Sequence, residues 1–94
     1  MSNVKTEGTE LFFNAILTLE TPEECNDFFQ DICTQQELKA ISQRFVVAKM
    51  LDEKKVYSEI VKQTGASTAT VSRVKRSLLG GKGSYKRAFT RMSK

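Results

Sequence analysis

Ninety-four residues with fifteen Lys and Arg, eleven Asp and Glu, a single proline and no histidine bound the chain to one small domain in which helices are favoured. Without histidine, a close Cys-x-x-Cys pair or a phosphate-cradling glycine loop, neither a metal site nor an enzyme is expected. No apolar run reaches transmembrane length and the opening MSNVKTEGTE is polar, so a cytoplasmic protein with no membrane partner is expected.

The net charge of +4 hides a division. Up to Glu59 there are eleven acidic and six basic residues; from Ile60 onward there are nine basic residues and no acid. A field of one sign at one end of a small protein steers it toward a polyanion, and nucleic acid is the commonest such partner. The basic segment lacks the continuous apolar face that binding to an anionic membrane surface requires.

In chain order, residues 1–8 show no periodicity and are expected as a mobile arm, followed by a helical domain over 9–79. A first helix is predicted from Thr9 or Glu10 to Glu20, apolar well beyond one stripe. Thr21-Pro22-Glu23-Glu24 is a helix-start signature, with Thr21 as cap, Pro22 in the first turn and Glu24 reaching back to the cap amide. The helix after it, to about Ile32, is amphipathic, with Cys25, Phe28, Phe29 and Ile32 on one face. Cys25 and Cys33 would lie about 12 Å apart on such a helix, beyond disulfide reach, and are expected as buried thiols. Thr34-Gln35-Gln36-Glu37 repeats the start signal before a long helix to about Glu53. From Phe45 to Leu51 only Lys49 in that helix is polar. Two helices apolar nearly all round exceed what so short a chain can cover, so a homodimer is expected.

Residues 57–78, YSEIVKQTGASTATVSRVKRSL, read as a helix-turn-helix. Tyr57, Ile60 and Val61 mark the first helix, Gly65 supplies the turn, and Val71, Val74 and Leu78 mark the second. Ser67 is placed to accept a bond from an amide at the second helix's start. The outward residues Thr68, Ala69, Thr70, Ser72, Arg73, Lys75 and Arg76 suit a major groove, where small side chains meet base edges and Arg or Lys meets guanine or phosphate. The competing reading is a protein-interaction module on the same scaffold, docking its basic face on an acidic partner with only nonspecific DNA affinity. Residues 80–94 form a glycine hinge and a basic tail, either a clamp on the DNA backbone or a solvated helix that packs Phe89 on the core.

The stretch from Thr34 to Leu79 resembles the tryptophan repressor family of bacteria. The cues are a threonine-capped long helix with the Gln43-Arg44 pair, a short connection, and a second helix beginning GASTATVSR. The resemblance implies an all-α fold, an intertwined helical dimer with a helix-turn-helix, and regulation of transcription, chiefly repression, at palindromic double-stranded operator DNA. Ser67, Thr68, Ala69 and Thr70 would approach the bases, often through water, with Arg73, Lys75 and Arg76 adding phosphate contacts. It also implies a small-molecule corepressor pocket built from Thr34, Arg44, Arg73 and Ser77, with one guanidinium holding a carboxylate and the other stacking on a ring. Where tryptophan-binding members carry glycine after the pocket arginine, this chain carries Val74, which argues against tryptophan as the effector.

Overall fold

The computed structural model describes residues 4–94, and all its regular elements are helices: α1 (Val4–Ile16), α2 (Pro22–Ile32), α3 (Gln35–Asp52), α4 (Tyr57–Thr64), α5 (Thr68–Gly80) and α6 (Ser84–Met92). The described residues fall into two compact units, the first up to Leu38 and the second from Lys39 to Lys94, with the division inside the first turns of α3.

In the first unit α1 begins at Val4, five residues before the expected Thr9. The expected arm over 1–8 is therefore helical from Val4, and its first three residues lie outside the described ones. Gly8 does not break the helix, because its φ is not positive and nothing crowds it. At the other end α1 stops at Ile16 rather than Glu20. The Leu19 amide tightens onto the Ile16 carbonyl, and the Thr18 hydroxyl donates to the Ala15 carbonyl at 2.6 Å, satisfying an end carbonyl.

Thr21 caps α2 as its sequence requires, accepting the Glu24 amide at 3.1 Å. The Glu24 carboxylate reaches back one residue further than expected, accepting the Glu20 amide rather than that of Thr21. Phe12, Phe28 and Phe29 form the unit's aromatic cluster, with Phe28 edge-on to Phe29 at 5.6 Å. No described residue of this unit is buried, and Leu11, Phe13, Leu17 and Ile32 are 53–81% exposed. The cysteines are free, as expected, but both are only half-buried, since the helix pair that carries them has no closed interior.

Thr34 and Glu37 complete a reciprocal capping box at the start of α3: the Glu37 amide donates to the Thr34 hydroxyl at 3.0 Å, and the Thr34 amide donates to the Glu37 carboxylate at 2.8 Å. Thr34 holds the Glu37 carboxyl below the usual range, first through its backbone amide and second through its hydroxyl, both of which favour the charged form.

The second unit holds the core. Val47, Ala48 and Met50 of α3, Ile60 of α4, Ala66 of the turn, Val71, Val74 and Leu78 of α5, and Phe89 of α6 are buried together. Phe89 sits 5.2 Å from Phe45, and the Lys49 ammonium lies 5.0 Å over its ring. The tail thus packs Phe89 on the core, while Met92, one turn further along α6, is 68% exposed.

Candidate nucleic-acid interface

The interface is built on α4, the turn and α5. Ile60 is inaccessible to solvent and Val71 likewise, so these branched side chains fix the two helices against each other across a three-residue connection. Gly65 sits at φ 76°, in the left-handed region, and its amide closes α4 on the Val61 carbonyl at 2.9 Å. Thr64 donates its hydroxyl to the Ile60 carbonyl at 2.7 Å and accepts the Ala66 amide at 3.1 Å. Gln43 of α3 donates to the Thr64 carbonyl at 3.0 Å. The turn is therefore pinned from within and from the helix behind it. The bond from Gln43 to the turn and the burial of Ala66 were not legible in the sequence, because a single long-range side-chain bond and a one-residue contact in a turn leave no periodic signal.

Ser67 is the N-cap of α5 and accepts the Thr70 amide at 3.1 Å. Its hydroxyl also donates to the Thr70 hydroxyl at 3.1 Å, a pairing that orders both side chains. The amides of Thr68 and Ala69 have no partner within the helix and add the positive end of the helix dipole to the site. Ser67, Thr68 and Ala69 are exposed, Thr70 and Ser72 half-buried, and Arg73, Lys75 and Arg76 exposed. Neither Arg73 nor Arg76 forms an ion pair among the described residues, so both guanidinium groups remain available to an anion. Lys75 is different: its ammonium lies 5.5 Å over the Tyr57 ring, turned toward the start of α4.

The residues implied as an effector pocket are less uniform. Arg73 and Ser77 stand one turn apart on an exposed face of α5, and Arg44 is exposed on α3. Thr34 has its hydroxyl and amide engaged with Glu37. Val74 is 2% exposed and belongs to the core with Val71 and Leu78. Among the described residues no group of acids and cysteines could hold a metal ion, and no helix is long and apolar enough to cross a membrane.

This geometry has close relatives. The sequence profile of the Trp repressor protein family matches residues 7–93. The protein YerC of Bacillus subtilis strain 168 is 49% identical over 90 residues, spanning 94% of this chain and 86% of YerC. The crystal structure of a TrpR-like protein from Eubacterium eligens superposes with a TM-score of 0.92 at 51% identity, covering 96% of this chain and 93% of that one.

Proposed function

Because the chain belongs to the Trp repressor family, we propose that it is a sequence-specific DNA-binding transcriptional regulator, a repressor that grips palindromic operator DNA as a homodimer. The observation that carries this reading is the outward face of α5, where Arg73 and Arg76 are exposed and unpaired beside a capped helix start of small polar residues. No acidic residue follows Glu59 to oppose them. Phosphate contacts from the basic end position the duplex, and Ser67, Thr68, Ala69 and Thr70 meet base edges. The dimer is supported by apolar side chains left open to water, among them Leu11, Leu17, Ile41 and Val46. Two copies related by a two-fold axis present two recognition helices to two half-sites.

Replacing Arg76 with Ala tests the electrostatic part. Anisotropy titrations should show operator and nonspecific duplex affinity falling by similar factors, about three- to tenfold, with the salt slope reduced by about one. Unchanged affinity for both duplexes contradicts the assignment.

Tryptophan is not the effector in this reading. Val74 stands where the family resemblance puts glycine beside a flat ring, and its 2% exposure within the core supports the reading, because vacating that space would open a hole there. Calorimetry with free tryptophan at millimolar concentration should give no saturable heat; a saturable signal contradicts the claim.

A further inference from the structure

On the second unit, away from the start of α5, a hollow of about 290 Å³ opens between the end of α3, the start of α4, the last turns of α5 and α6. We infer that it binds a small amphipathic organic anion, a carboxylate or phosphate monoester carried on an apolar body. Its volume lies at the lower edge of small-molecule pockets. Lys54, Lys55, Lys75 and Lys86 line it, and Asp52 is the one acid among the lining residues. Lys86 approaches Asp52 at 3.9 Å, a long exposed pair that leaves the hollow strongly positive. Leu51, Tyr57, Leu78 and Leu79 supply apolar surface between the ammonium groups.

Lys54 enters the hollow from an unusual backbone position. Helix α3 ends in a paired closure: the Lys55 amide bonds the Met50 carbonyl and the Lys54 amide bonds the Leu51 carbonyl, both at 3.0 Å. Such a closure puts its penultimate residue in the left-handed region, where glycine is favoured. Here that residue is Lys54, at φ 67°, the one non-glycine with positive φ among the described residues. A lysine thus stands in a conformation that glycine adopts without strain, and its side chain joins three other lysines in lining the hollow.

A duplex backbone is the competing occupant. Two features favour the small ligand. Lys75 leans over the Tyr57 ring and Lys86 toward Asp52, so both turn into the hollow rather than out to a passing strand. The apolar lining gives a phosphate backbone nothing to bury, but gives the body of a small anion a seat. The hollow is also separate from the effector pocket the family resemblance implies, since Thr34, Arg44, Arg73, Val74 and Ser77 do not line it; of the residues expected at DNA it shares Lys75 alone. Nothing in the proposal requires DNA, so it stands or falls apart from the DNA-binding reading.

Amide NMR titrations of the full chain test it with four probes: phenyl phosphate, benzoate, inorganic phosphate and benzyl alcohol. One of the two organic anions should shift the Lys54, Lys55, Tyr57 and Lys86 amides saturably, at least about fivefold more tightly than inorganic phosphate or benzyl alcohol, and which one does so identifies the head group. Lys54→Gly should weaken that binding about three- to tenfold while its Tm holds or rises by a few degrees, because the strain is relieved. A purely structural Lys54 would leave the Kd unchanged, and that result overturns the site. Inorganic phosphate binding as tightly as the organic anions, or a duplex moving these amides when neither organic anion does, overturns it as well.

Discussion

At the scale of single residues, the turn depends on Gly65. An alanine there would meet only the Gln43 Nε2 atom, at 4.0 Å, so the cost of the change is confined to the backbone at φ 76°. Gly65→Ala should lose about 1–2 kcal/mol in urea unfolding at fixed protein concentration. Gly80→Ala, with nothing within 4 Å and no positive φ, serves as the control and should be neutral or stabilising. Equal losses in both would show that the left-handed conformation is not what Gly65 provides. Gly65 was legible from sequence because a glycine between two apolar series has few other uses, and the Ser67 cap was legible for a similar reason. Lys54 was not. Nothing in Asp52-Glu53-Lys54-Lys55 announces a left-handed residue, since the closure depends on carbonyls of the preceding helix rather than on side-chain type.

At the scale of elements, the start of α3 is the most explicit sequence signal, and it folds as read. The Thr34–Glu37 box holds the Glu37 carboxyl below its usual range, so its stabilising effect has a definite sign with pH. The folded value lies below the unfolded value of about 4.3, so the contribution is complete above that pH and is lost as pH falls through the lower folded value. Glu37→Gln should therefore lower Tm by a constant margin above about pH 5, and the margin should shrink toward zero in stronger acid. A margin independent of pH down to unfolding would assign the effect to something other than the carboxylate. Helix starts were read more reliably than the extent of the first helix. Caps are local chemistry, whereas α1 runs on through Gly8 because nothing there demands a turn. The tail's Phe89 was legible as one of two alternatives, and packing on Phe45 and Tyr85 decided for the core contact. A basic face on the same helix remains compatible with that contact, since Arg87 and Arg91 are exposed.

At the scale of the molecule, two asymmetries govern the account. Charge is divided along the chain, with all acids at or before Glu59. Apolar exposure is divided as well: the described part of the first unit has no buried residue, while the second has a closed core of nine. Part of this second division was visible in helices too apolar to be covered by their own chain. The lysine-lined hollow was not visible, because its residues come from three stretches of sequence that only the packing of α3, α4, α5 and α6 brings together. A basic recognition helix presented once reads few base pairs; presented twice by a two-fold dimer, it reads a palindrome. The most direct measurement is selection of preferred duplexes from a random pool by the purified chain. A two-fold dimer should enrich an inverted repeat whose half-site centres lie about one helical turn apart. Recovery of a pool with no sequence preference, bound only through salt-sensitive affinity, would contradict it.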